Sequence, residues 1–200
     1  MNVEVTSPPV MDRPSAPAVP HPSPPVGHRP FPAGTVDRDA MRRACGAFAT
    51  GVTVVTTGGQ AVHGMTANSF TSVSLDPPLV LVCIGRDAVM HTRLSETAHF
   101  GVSVLADDQE GVARYFAHRS RRLGAAQFET VAWTPGRLTG VPLIEGALAH
   151  FECEIRYAYG GGDHTIFVGG VLSLDRHAGG DGLVFADGRF RRLGERTVTA

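Results

Sequence analysis

The chain has 200 residues, 42% of them hydrophobic, with a formal net charge of −1. That size suits one globular domain with a sizeable core, and the near-neutral balance supplies no pull toward nucleic acid or an anionic membrane surface. All eighteen basic residues are Arg, which excludes a Schiff-base lysine and a P-loop lysine.

Residues 1–34 hold ten of the fourteen prolines and little aliphatic bulk. Such a segment buries too little apolar surface to offset its ordering entropy. It reads as a disordered arm, with a Pro-rich docking ligand as the alternative, and the domain is expected over 35–195. A helix is expected next, with Ala40, Met41, Ala44, Cys45 and Phe48 on one face, Thr35 or Asp37 as cap and Gly51 closing it. Val52–Thr57 reads as a strand, Gly58-Gly59 as a tight turn, and Ala61–Thr66 as the hairpin partner. The strand Leu79–Ile84, a short helix over Val89–Glu96 and the strand Phe100–Leu105 follow. A helix then runs from the acids Asp107 to Glu110 to about Ala117, which suits the helix dipole.

An irregular segment carries the only Trp, Trp133, with turn signals at Pro135-Gly136 and Pro142. Ala147–Tyr159 alternates His150, Glu152 and Glu154 with Phe151, Cys153 and Ile155, the pattern of a strand. Gly160 to Asp163 form a turn, His164–Leu174 returns, and Leu183–Phe185 with Arg189–Arg191 makes a last hairpin. Many strands, short turns and few helices predict a mainly β fold, an antiparallel barrel rather than a doubly wound sheet. Cys45, Cys83 and Cys153 have no metal-ligand spacing, sit in apolar runs and fit a reducing, cytoplasmic setting. No apolar run reaches membrane-spanning length, and the N-terminus lacks a signal-peptide core.

The stretch Gly64-Met65-Thr66-Ala67-Asn68-Ser69-Phe70-Thr71-Ser72-Val73-Ser74-Leu75-Asp76-Pro77-Pro78 puts small and hydroxylated residues where a strand usually has bulky ones. Either a flat ligand approaches the backbone there, or this is a solvated edge strand. No GxGxxG follows a strand, and no GxSxG, HExxH or paired-carboxylate motif is present. Chemistry supplied by a cofactor or co-substrate is therefore favoured. Asp163 and His164 stand at a strand entrance. They are either a plain turn or a rim pair in which His164 donates a hydrogen bond or a proton. The run His118-Arg119-Ser120-Arg121-Arg122 complements a helix end or offers an Arg to a nucleotide phosphate, and His91 and Arg93 raise the same question. Tyr115-Phe116 are core aromatics or the wall of a ring site.

Together, the segments from Phe48 to Thr57, Gly64 to Pro78, Phe128, Gly140 to Ala149, and Gly161-Gly162-Asp163-His164-Thr165-Ile166-Phe167 resemble the short-chain flavin reductases. These are the reductase components of two-component flavin-dependent monooxygenases. The similarity covers residues 38 to 193, and its Lys-free, Arg-rich flavour is most similar to actinobacterial members. The resemblance implies a split β-barrel, a homodimer, and reduction of FMN or FAD by NADH or NADPH for a separate monooxygenase. Carried onto this chain, it implies that Thr66, Ala67, Asn68 and Ser69 contact the flavin, with Ser72 and Ser74 nearby. Cys83, Ile84 and Gly85 follow the flavin with their backbone, and Tyr115 and Phe116 line its far side. Gly162, Asp163 and His164 shape the nicotinamide place, with His164 the catalytic candidate and no metal. One departure stands out: the loop Arg86-Asp87-Ala88-Val89-Met90 replaces the family's phosphate-binding hydroxyls, leaving Arg86 or backbone amides for the phosphate. The competing expectation is a flavin-binding barrel with a sensing or oxidase role.

Overall fold

The computed structural model describes residues 36–193. The Pro-rich arm, the expected start of the domain at Thr35 and its last two residues lie outside these. The first helix, α1 (Arg38–Gly46), is capped by Asp37, whose carboxylate accepts from the Ala40 N–H, and carries Asp39 in its first turn and Arg43 in its last. It ends five residues before Gly51. No α1 residue is buried, and Phe48 beyond it is 76% exposed. The apolar face of this helix, including Cys45, lies at the surface.

The strands are β1 (Thr50–Gly51), β2 (Thr53–Thr57), β3 (His63–Ala67), β4 (Thr71–Leu75) and β5 (Pro78–Gly85). After α2 (Val89–Ser95), β6 (His99–Val104) and α3 (Glu110–Ala117), a short hairpin forms from β7 (Trp133–Pro135) and β8 (Pro142–Ile144). The 13-residue strands β9 (Ala149–Gly161) and β10 (His164–Arg176) follow, then β11 (Val184–Ala186) and β12 (Arg189–Arg191). The link between β2 and β3 is not the expected Gly58-Gly59 turn. A 3-10 turn over Gly59–Ala61 shifts the pairing, so that Thr57 faces His63.

Seven strands form one antiparallel sheet in the order β3-β2-β6-β9-β10-β5-β4. β3 and β4 are its edges, so hydrogen bonds do not close it. β2 has core on both faces. Val55 joins Val82, Ile84, Met90, Phe100 and Phe167, while Val52 and Val54 join Leu105, Phe116, Phe128 and Leu183. Successive strand residues point to opposite faces, so all five β2 positions are buried. Each large side chain withdrawn from water here contributes about 1.5–3 kcal/mol.

A smaller sheet, β1-β11-β12, joins the beginning of the domain to its end, with Thr50 opposite Phe185. Backbone bonds extend that tie from Val52 N to Leu183 O (3.1 Å), Leu183 N to Leu105 O (3.0 Å) and Leu105 N to Val52 O (3.0 Å). Among the described residues no helix is long and apolar enough to cross a membrane.

Candidate functional site

Three chain segments meet at the end of β5 because of the register of the sheet. His164, first residue of β10, pairs with Gly85 on one side and Gly161 on the other. The Arg86 N–H donates to the Asp163 carbonyl at 3.0 Å, locking the turn against the 86–88 loop. His164 Nδ1 lies 2.8 Å from Asp163 Oδ1, and Arg38 Nη2 lies 3.3 Å from Asp163 Oδ2. The hydrogen bond from His164 first, then the charges of His164 and Arg38, hold the Asp163 carboxyl below its usual range. A carboxylate can only accept, so Nδ1 carries the proton and Nε2 is left available. A Cβ on Gly85 would sit 3.7 Å from that Nε2 and 3.1 Å from Asp87 Oδ1. Gly85 thus keeps a strip of bare backbone between an imidazole and a carboxylate.

Beside it opens a cleft of about 340 Å³, with Thr66 from β3, Asp87 and Ala88 from the loop, and Arg119 and Arg121 from the segment after α3. Its wall depends on Gly64. A Cβ there would lie 2.5 Å from the Phe116 ring and 3.2 Å from Phe128, so β3 seats directly on α3. Thr66 then donates its hydroxyl proton to Ala113 O at 2.7 Å. The Ser69 hydroxyl donates to Cys83 O and accepts from Cys83 N, both at 3.0 Å. Ala67 is buried and its carbonyl accepts from Thr53 at 2.8 Å. These residues largely build the site. Asn68 is exposed, and among the described residues its side-chain amide has no hydrogen-bond partner. It alone in this run offers a free donor and acceptor.

Other sequence candidates fall differently. Ile84 and Phe116 are fully buried core side chains. Ile84 therefore offers only backbone, and Phe116, packed on Phe128 with ring centroids 5.5 Å apart, does not line the cleft. Tyr115 is half-buried. Cys83 lies on the opposite face of β5 from Ile84, and burial pushes its thiol up. Gly162 turns the chain at φ +69°. The Arg86 guanidinium lies over Gly160, 3.0 Å from where its Cβ would be, and not in the cleft. Ser72 faces Val80 and Ser74 faces Leu79, near the far end of β5; Ser74 is roughly 20 Å along the strand from Gly85 at about 3.3 Å per residue. Within one chain these two serines do not reach the site. His91 hydrogen-bonds Thr165 at 2.8 Å and ties α2 to β10, and Arg93 pairs with Glu96 at 3.2 Å.

The residue the sequence concealed is His63; Arg121 stands out only as one of a basic run, and Asp87 only within its loop, so their partners were hidden. Arg121 donates to Gly64 O (2.8 Å), His118 O (2.8 Å) and His63 Nε2 (3.0 Å). Burial, then the charges of Arg121 and Arg93, lowers His63 to about 4, so it is neutral beside the cleft. Arg119 approaches Asp87 at 3.8 Å. No local signal pairs residues 58 positions apart.

Residues 41–194 match the family model described as flavin reductase like domain. An NADH-dependent FAD reductase of Streptomyces globisporus is 58% identical over 157 residues, covering 78% of this chain and 86% of that protein. The solved structure of a Streptomyces globisporus NADH:FAD oxidoreductase with NAD and FAD fragments superposes with a TM-score of 0.76 at 54% identity, over 80% of this chain and 95% of the other. The flavin reductase component of a bacterial two-component tryptophan halogenase gives a TM-score of 0.77 at 54% identity, over 80% of this chain and 100% of the other.

Proposed function

The chain belongs to the flavin reductase like family, and from that premise we propose that it is an NADH-dependent flavin reductase that supplies reduced flavin to a separate oxygenase. The observation that carries this reading is the arrangement at Gly85, where bare backbone lies between the Asp163-oriented His164 and Asp87, and Asp87 also lines the cleft. These residues fit a flat ring with an imide edge. Asn68 meets that edge with a donor and an acceptor, and the backbone of Cys83 to Gly85 lies along the ring without a side chain between. The flavin, FAD or FMN, supplies the hydride acceptor N5 and the nicotinamide the donor C4, so NADH, flavin and a proton give NAD⁺ and reduced flavin.

The protein's task is to align the two rings. His164, held by Asp163, borders the nicotinamide and presents Nε2 toward it. Arg119 and Arg121 face the phosphate end in place of Arg86. With no Lys in the chain, the charge that develops at the reduced ring meets backbone N–H groups and hydroxyls. That modest stabilisation favours release of the reduced flavin. The partner is a flavin-dependent monooxygenase or halogenase component, the reaction is cytoplasmic, and the functional domain is the one expected over 35–195.

The working assembly is a homodimer in which the sheet completes a split barrel. Support comes from apolar side chains left at the surface: Phe48, Leu75 at 92% exposure, Leu172 and Leu174. Absorbance at 340 nm tests the activity: NADH is expected to be consumed rapidly only when FAD or FMN is added, and NADPH slowly. A flavin-loaded protein that leaves NADH untouched would overturn the reading.

A further inference from the structure

The cleft beside Gly85 has an unusual charge arrangement. Two guanidiniums, Arg119 and Arg121, face it, but they are not equivalent. Arg121 spends its donors on Gly64 O, His118 O and His63 Nε2. His63 is fully buried and adds no charge. Arg119 is 93% exposed at its side chain, and its partner in the free protein is Asp87, at 3.8 Å. Asp87 is exposed too and stands at the cleft wall between Gly85 and Arg119. Among the described residues, the cleft cation with fewest hydrogen bonds, Arg119, therefore already faces an anion.

Resting on the reading above, we propose that Asp87 is a specificity-determining residue that competes with the flavin phosphate for Arg119 and biases the enzyme toward FAD over FMN. FMN ends in a phosphomonoester with close to two negative charges at neutral pH. The two phosphates of FAD are joined as a pyrophosphate with one charge each, and the second lies further along the chain. A fixed carboxylate at the wall repels the doubly charged group more, and the repulsion strengthens as the bound flavin displaces water. Riboflavin has no phosphate and feels none of this. Asp87 thereby also weakens the hold on any phosphorylated flavin, which suits a molecule that must leave after reduction.

The test is a fluorescence titration of oxidised FMN, FAD and riboflavin against wild type and Asp87→Asn at one fixed salt concentration. Removing one unit charge at this distance is expected to tighten FMN about fivefold to tenfold, FAD about twofold to threefold, and riboflavin not at all. In an Arg119→Gln background Asp87→Asn is expected to give a smaller gain for FMN than in wild type, because only the direct repulsion is then relieved and no cation is freed. An equal change for all three flavins, no change, or a gain of undiminished size in the Arg119→Gln background overturns the proposal and leaves the reductase reading intact, since wild type still binds flavin. Wild type that binds none of the three overturns both.

Discussion

His63 is a buried imidazole with an arginine on its Nε2. Its pKa falls from 6.5 to about 4 on folding, so between those values the unfolded chain binds the extra proton. Stability from this group is complete above pH 6.5 and is lost as the pH falls toward 4, by at most about 3 kcal/mol. Urea denaturation at pH 7 and pH 5 is expected to show a smaller difference for His63→Gln than for wild type; an unchanged difference would show that His63 is not the group responsible. His164 makes a different prediction, because it faces ligand. His164→Ala should raise the KM for NADH about tenfold, a hydrogen bond's worth, with a smaller fall in kcat, and unchanged values of both would remove it from the mechanism. At this scale the sequence revealed what is contiguous. The Asp163–His164 pair was visible because the two residues are neighbours in the chain. The partners of Arg121 were not, because the Gly64 carbonyl and His63 come to it only after β3 has docked on α3.

The β7–β8 hairpin shows the same limit for a whole element. It is held less by its own short ladder than by polar side chains reaching up from the main sheet. Thr56 donates to Pro142 O (2.6 Å), Ser103 accepts from Ile144 N (3.0 Å) and His150 Nε2 donates to Ile144 O (2.8 Å). Glu152 accepts from Thr139 Oγ1 (2.6 Å), Thr139 N (2.7 Å) and Leu138 N (3.0 Å). Burial alone would raise the Glu152 carboxyl, yet the hydrogen bonds from Thr139, Leu138 and Arg137 hold it below its usual range. Its contribution is therefore present above the ordinary value of 4.5 and is lost as the pH falls below that. Glu152→Gln turns an amide N–H toward N–H donors, and should cost about 1–3 kcal/mol. Hydrogen exchange at Leu138 and Thr139 should accelerate selectively; protection equal to wild type would contradict this account. A hairpin pinned in this way has no alternating apolar signature, which is why the sequence showed only its turns at Pro135-Gly136 and Pro142. The long β9 was legible for the opposite reason, since the alternation from His150 to Ile155 is carried by its own residues. The helical periodicity before Gly51 was also real, but it served a surface face, and periodicity alone does not say what covers a face.

For the whole molecule, the mainly β class followed from many strands joined by short turns with few helices, and the antiparallel seven-stranded sheet agrees with that class. What covers the exposed Phe48, Leu172 and Leu174 has no signature in one chain. Light scattering is expected to give twice the chain mass, and Phe48→Asp with Leu174→Asp is expected to shift it to the monomer and weaken flavin binding. A wild-type monomer with full activity would refute the dimer. The strand β1 has a consequence of another kind. Its partner is β11, and Val52 just beyond it is bonded to Leu183, so the first strand of the domain waits for almost the last. During synthesis the chain therefore emerges with Thr50 and Gly51 unpaired until β11 has been added, and pairing across such a span is slow, in the millisecond-to-second range. Loss of the segment after Gly182 would yield no shorter enzyme; it would leave a polypeptide whose opening strand never finds its mate.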